Sequence, residues 1–419
     1  MRIAFILSIF LFFGCKSNSQ ETSDVATSTG TGVTQGPINE NEITWEADFN
    51  AALAKAKANN QLLFVECYSP TCPVCQTLEP FFKESEVAKK YNRNFVNFKL
   101  DVGKQEVVKH LNDRNIWLPS FPMFLFFDGD GNLVHQSDVT PDVASLTGVA
   151  DKALDPSKRA NSYAKRFKDG DRSMDLLASY AAFSRVIRDT AGAVEAGEEL
   201  FKVYPKDELG SETSWKLTKK CIVDVNNGFA KYWFNNYAKA KEIETKDGHA
   251  GNENNIFGGI IQNSLLGNRG KDYNTSQLND IRKYMGLVGA GQYADTYMWE
   301  LETKANIREG NTAKALAIGN SIIGKYQGNG SAAVYITRVF IDNFPNNNFV
   351  GDARKWLASA LPSIQQENQK AEYYYESSRL YQKSGDLVNA KKDAKTAMDL
   401  ATKSGVSDPK FAALVSSLK

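Results

Sequence analysis

The chain is 419 residues long, which suits two or three domains, and 42% of it is hydrophobic, enough to fill packed cores. Its 50 Lys and Arg offset 49 Asp and Glu, so no global field draws it to nucleic acid or to an anionic membrane surface. The cysteines (Cys15, Cys67, Cys72, Cys75, Cys221) are too few and too scattered for a disulfide-stapled scaffold. His110, His135 and His249 lie far from one another and at no metal-ligand spacing from a cysteine pair, so no metal is expected.

In chain order, Met1-Arg2 supplies a positive charge and Ile3 to Phe13 is almost wholly apolar. That stretch is too short for the roughly 20 residues of a membrane-spanning helix. It fits the hydrophobic core of a signal peptide. Gly14-Cys15 closes it, and the chain turns abruptly polar after Cys15. A small residue followed at once by Cys resembles the lipobox of bacterial lipoproteins, with Phe12 where that motif usually has Leu. The resemblance implies residues 1–15 as a signal segment, lipidation of Cys15, and an exported, membrane-anchored chain facing the periplasm or the cell exterior. Residues 16–42 are rich in Ser, Thr, Asn, Gln and Gly and read as a flexible linker.

Ordered structure is expected from 43. Trp45, Phe49, Leu53 and Ala56 recur at helical spacing, and Asn59-Asn60 ends that helix. Leu62 to Cys67 reads as a strand buried on both faces, broken only by Glu66. Cys72-Pro73-Val74-Cys75 then opens a helix expected to run past a kink at Pro80 to about Tyr91. Phe95 to Val102 alternates as a strand, with Val96, Phe98 and Leu100 facing one way. Lys104 to Asn112 suits a helix, Met123 to Phe127 a strand, and Leu133 to Ser137 a hairpin partner. Pro141 to Leu154 closes the domain with a helix. Asp128, Asp130 and Asn132 mimic the start of a calcium loop, but Leu133 stands where Gly is needed, so a hairpin turn is the better reading.

The Cys72–Cys75 pair carries the chemistry. Only a thiolate attacks a disulfide. Cys72 sits where the helix begins, facing unpaired backbone N–H groups and the positive end of the helix dipole, which marks it as the attacking thiol. Cys75, one turn further on, is the resolving thiol. Pro73 removes one backbone donor near the sulfur, and Val74 adds none. An acid placed directly after four large apolar residues, as Glu66 is, is costly unless it has a task.

The order helix, strand, CxxC-helix, strand, helix, strand, strand, helix over 43–155, with the CPVC motif, Glu66 and Phe121-Pro122, resembles a thioredoxin-fold domain. It is particularly like those of exported bacterial disulfide reductases. The resemblance implies a buried Glu66 that takes the proton of Cys75, with Lys99 as its cationic partner. It also implies a cis Pro122 facing the dithiol, with Ser120 and Phe121 contacting substrate backbone. Proline after the first cysteine also occurs in glutaredoxins and in the periplasmic oxidase family, whereas Thr71 replaces the Trp of thioredoxins. Cys67 and Cys221 read as buried thiols that pack as small apolar side chains.

Residues 156–419 change character: long amphipathic stretches dominate. Gly310-Asn311 with Ala315 and Gly385-Asp386 with Ala390 repeat the same offsets, close to two units of about 34 residues. The segment Ala371 to Ala401 resembles a tetratricopeptide hairpin. A solenoid-like, all-α region is expected, interrupted by a Gly- and Asn-rich loop over Lys246 to Tyr273. The fold class expected is thus an α/β thioredoxin-like domain followed by an all-α, tetratricopeptide-like domain.

The leading functional expectation is an extracytoplasmic protein-disulfide oxidoreductase, with reduction the favoured direction. It needs no cofactor beyond the redox-active Cys72–Cys75 pair. Its partners would be thiol- or disulfide-containing extracytoplasmic proteins and an electron donor or acceptor; nucleic acid is not among them. The alternative is a lipid-anchored adaptor whose helical region binds and whose thioredoxin-like domain is redox-silent.

Overall fold

The computed structural model describes residues 38–418. The signal segment, Cys15 and most of the expected linker lie outside the described residues. The end of that linker is held: the Asn92 side chain donates to the carbonyls of Asn39 and Glu42 (both 2.8 Å), and Ile43 is buried. Structure therefore starts a few residues earlier than composition suggested.

The first element is a strand, not a helix. β1 (Trp45–Glu46) pairs in parallel with a later strand, and the helix begins only at α1 (Phe49–Asn59). Asp48 caps it by accepting the Ala51 N–H at 2.8 Å, which is why the helix starts four residues after Trp45. Next come β2 (Leu62–Tyr68) and α2 (Pro73–Gln76). The expected long helix does not form. Pro80 offers no N–H to the Gln76 carbonyl; Leu78, Glu79 and Phe81 bond three residues back, a 3₁₀ turn follows over Phe81–Lys83, and Glu84 is extended. A fresh helix, α3 (Ser85–Asn94), then starts. It is followed by β3 (Phe95–Asp101), α4 (Gln105–Asn112), β4 (Met123–Phe127), β5 (Leu133–Ser137) and α5 (Val143–Leu154). Asp128 accepts from the backbone of Asp130 and Asn132 and closes the β4–β5 turn.

The strands form one mixed sheet in the order β1-β3-β2-β4-β5, with β1, β3 and β2 parallel and β4 and β5 antiparallel. Alternation sorts the side chains to two faces. Leu63, Val65, Cys67, Val96, Phe98, Leu100 and Leu125 pack under α1 and α4. Phe64, Phe124 and Phe126 pack under α3 and α5 with Leu78, Tyr91 and Leu146. Burial of each such aromatic side chain stabilises the sheet by about 1.5–3 kcal/mol. Glu66 and Lys99 occupy alternate positions with Phe64 and Asn97, so they face the α3 side.

After Leu154 only helices follow: α6 (Tyr163–Lys168), α7 (Met174–Val186), α8 (Thr190–Val203), α9 (Glu212–Cys221), α10 (Gly228–Asn235), α11 (Tyr237–Lys246), α12 (Asn252–Leu266), and further helices to Ser417. The loop expected over 246–273 is mostly α12. Its Phe257, Ile260 and Ile261 meet the core at helical spacing, and that burial outweighs the helix-weakening glycines 258 and 259. The repeat offsets do mark equivalent hairpins: Gly310 and Gly385 both adopt positive φ (77° and 78°) at an inter-helix turn, and Ala315 and Ala390 are both fully buried. The helices pack onto the sheet domain. Val186 lies in the same core as Leu111 and Ile116, the Trp117 N–H donates to the Val186 carbonyl (2.8 Å), and the Ala160 N–H donates to His135 Nδ1 (3.1 Å). No helix among the described residues is long and apolar enough to cross a membrane.

Candidate functional site

The loop from Ser69 to Gln76 is tied to itself. The Cys72 N–H donates to the Ser69 carbonyl (3.1 Å), and the Gln76 side-chain amide donates to the Pro70 carbonyl (2.8 Å). Cys72 caps α2, its sulfur accepting the Cys75 N–H at 3.2 Å. That sulfur is partly exposed, whereas Cys75 is 2% exposed. Both are free thiols in this structure. The asymmetry leaves one sulfur open to solvent and the other enclosed.

Burial pushes the Cys75 thiol up to about 12, with the hydrogen bond to Cys72 and the charge of Glu66 adding to the rise. A thiol held there is almost wholly protonated at neutral pH and attacks only if a base takes its proton. Glu66 lies near enough for its charge to act on Cys75. It is fully buried on β2, and desolvation raises its carboxyl to about 7, against the lowering effect of Lys99. Both carboxyl oxygens lack a hydrogen-bond partner in the protein.

Lys99, opposite Glu66 in the β2–β3 register, brings its Nζ to 3.5 Å from Glu66. It is bound more tightly elsewhere, to Glu79 at 2.5 Å. The rings of Trp45, Tyr68 and Phe82 surround the ammonium at 5.0–5.4 Å. The sequence reading missed Glu79 because it placed that residue on a continuous helix. The break at Pro80 turns it toward the sheet instead.

The Phe121–Pro122 bond is cis, and the Phe121 carbonyl lies 4.0 Å from Cys72 Sγ. Ser120 and Phe121 are exposed beside it, and Val74, two residues after Cys72, is exposed too. The structure thus brings Cys72, Cys75, Glu66, Lys99, Phe121 and Pro122 into one neighbourhood, with Pro73 at the first helical position and Pro80 ending the turn. It does not bring in the other cysteines among the described residues. Cys67 points to the opposite face of the sheet, under α1, and Cys221 sits in the core of the helical region with its sulfur on the Ala178 carbonyl (3.4 Å).

Residues 44–129 match a thioredoxin-like family. Among solved structures, a provisionally assigned disulphide-isomerase from Bacteroides thetaiotaomicron matches at 29% identity, over 28% of this chain and 97% of its own, with a TM-score of 0.25. No curated protein matches the chain. The α/β domain is thioredoxin-like, and an all-α region follows it.

Proposed function

We propose that this protein is an exported thiol–disulfide oxidoreductase, tethered to a membrane through a lipid on Cys15, that reduces disulfides in extracytoplasmic client proteins. The observation that carries the reading is a buried resolving thiol, held at about 12, beside a buried carboxyl held at about 7. A buried acid close to a buried thiol suits a proton transfer, which a silent binding module does not need.

The exchange has two steps. The Cys72 thiolate attacks one sulfur of the client disulfide; a Cys72–client bond forms, and the other client sulfur leaves as a thiolate and takes up a proton. Glu66 then accepts the Cys75 proton, Cys75 attacks the Cys72 sulfur, and the first client sulfur leaves and is protonated. The client gains two electrons and two protons, and the enzyme ends as the Cys72–Cys75 disulfide. A donor dithiol, from a partner protein, resets it by the reverse exchange. Phe121 offers its backbone to the client chain beside the reacting sulfurs.

Reduction of insulin disulfides by the full-length chain, with dithiothreitol as donor, tests the reading. Acceleration that disappears in Cys72→Ser supports it; acceleration that survives removes Cys72 from the mechanism. Titration in thiol redox buffers sets the direction. A potential near about −270 mV fits a reductase, one more than about 100 mV higher fits disulfide formation, and no reversible two-electron couple leaves the adaptor reading.

A further inference from the structure

A groove of about 950 Å³ opens where the α/β domain meets the helices. One wall is the segment Trp117–Ser120, which leads directly into Phe121 and the dithiol; the other is built by the end of α7, the outer face of α9 and α12. Its volume is at the upper end of that of pockets that enclose drug-sized ligands, which leaves room for a few residues of extended chain.

Its charge is one-sided. Arg185, Arg188, Lys216, Lys219 and Lys220 line it, against a single acid, Asp138. The chain as a whole carries only +1, so this is a local concentration. Three of the five cations are committed. Lys220 pairs with Asp138 at 2.5 Å, Lys219 with the buried Glu244 at 2.6 Å, and Arg185 donates to the carbonyls of Lys219 and Lys220. Lys216 and Arg188 are exposed and make no ion pair among the described residues. Arg188 is held in the left-handed region (φ 56°), in the turn between α7 and α8.

The remaining lining suits a polypeptide. Leu266 is 77% exposed at the groove and Trp117 is half-exposed, giving apolar contact area. Asn255 and Asn263 line it from α12 with side-chain amides that can bond a main chain, whereas the Asn252 amide donates to Glu244 (2.7 Å). A client whose sulfur reaches Cys72 runs its backbone past Phe121 and Ser120, and the next residues along that path meet this groove.

We infer that the groove is a client-binding subsite that selects polypeptides carrying acidic side chains close to the disulfide being exchanged, with Lys216 and Arg188 as the selecting charges. The inference rests on the oxidoreductase reading above and names its substrate class.

Two matched disulfide-bridged peptides, one flanked by three Glu and one by three Lys, test it on the full-length chain. The acidic peptide is expected to be turned over with a kcat/KM about five- to tenfold higher, a preference that shrinks as salt rises. The Lys216→Glu/Arg188→Glu variant is expected to lose or invert the preference while reducing hydroxyethyl disulfide, a small neutral substrate, at the unaltered rate. Equal turnover of the two peptides by the native chain, or a preference that survives the double reversal, overturns the subsite and leaves the enzyme reading standing. Failure on hydroxyethyl disulfide sinks the enzyme reading instead. In that case anisotropy of labelled Cys→Ser versions of the peptides still decides the groove: tighter binding of the acidic peptide, abolished in the variant, supports it, and equal binding refutes it.

Discussion

Lys99 stands between two carboxylates, 3.5 Å from the buried Glu66 and 2.5 Å from the half-exposed Glu79. Burial raises Glu66, Lys99 lowers it, and Glu79 raises it again. The two neighbours therefore tune one group in opposite senses. Lys99→Met removes the cation and moves the Glu66 titration to higher pH, by about one unit. Glu79→Gln removes a like charge and frees Lys99 for Glu66, so the titration moves to lower pH. Carbon-13 NMR of the Glu66 carboxyl reads both. Shifts of the same sign in the two variants would contradict the triad.

Glu66→Gln leaves a side chain of the same shape that cannot accept the Cys75 proton. Resolution of the mixed disulfide is expected to slow about 100-fold at pH 7, while alkylation of Cys72 keeps its rate. In the native chain the resolution rate rises with pH through about 7, because the carboxyl becomes a base as it loses its proton. The variant lacks that limb. Stopped-flow kinetics from pH 5 to 9 checks this, and an unchanged limb in the variant assigns the base elsewhere.

Cys72, Cys75, Glu66 and Pro122 were legible in the sequence because each adjoins a strand whose apolar run is unmistakable. Strand β2 delivers Glu66 and leads into Cys72, and Phe121-Pro122 introduces β4. Lys99 came from the family resemblance alone, since a lysine on a strand reads equally well as a solvated one. Glu79 was not legible, since a kinked but continuing helix was expected at Pro80 and its direction depends on the chain leaving the helix there instead. Strand β1 is two residues long and exists only through pairing with β3, a contact about 50 positions away that local pattern does not encode. Helix α12 was hidden by its glycines, and core contacts made by Phe257 and Ile261 overrode propensity. The groove drew on residues from loops, strands and helices far apart in sequence, linked by no repeat.

Cys75→Ser keeps the attacking thiol and removes the resolving one. The first exchange then stops at the Cys72–client bond. Mass spectrometry under non-reducing conditions should find the covalent complex with a disulfide peptide, and none with the double Cys72→Ser/Cys75→Ser variant. Trapping through Cys67 or Cys221 would contradict the burial of both.

The helical hairpins depend on close approach at Gly319. A Cβ there would lie 2.6 Å from the Phe340 ring and 2.7 Å from Trp356. Gly319→Ala is expected to cost about 1–3 kcal/mol through forced repacking, read as a lower urea midpoint. Turnover of hydroxyethyl disulfide should be unaffected, because Gly319 touches no residue of the dithiol site.

A carboxyl raised to about 7 on folding also leaves a mark on stability. Unfolded, Glu66 titrates near the ordinary glutamate value of 4.5. Between those two values the folded chain holds a proton that the unfolded chain has released, so stability falls as pH rises through that window and levels off above about 7. The loss from this one group is on the order of 3 kcal/mol. His135, pushed down to about 4 by burial, acts in the opposite sense, since its unfolded form binds the proton first as pH falls below 6.5. The native curve therefore mixes both, but their difference separates. Glu66→Gln cancels only the carboxyl contribution, so the stability of the variant relative to the native chain should rise steadily from about pH 4.5 to 7 and then stay constant. Urea unfolding of both chains across that range measures it. A difference independent of pH would mean that Glu66 is ionised throughout, and with that the proton transfer from Cys75 would lose its acceptor.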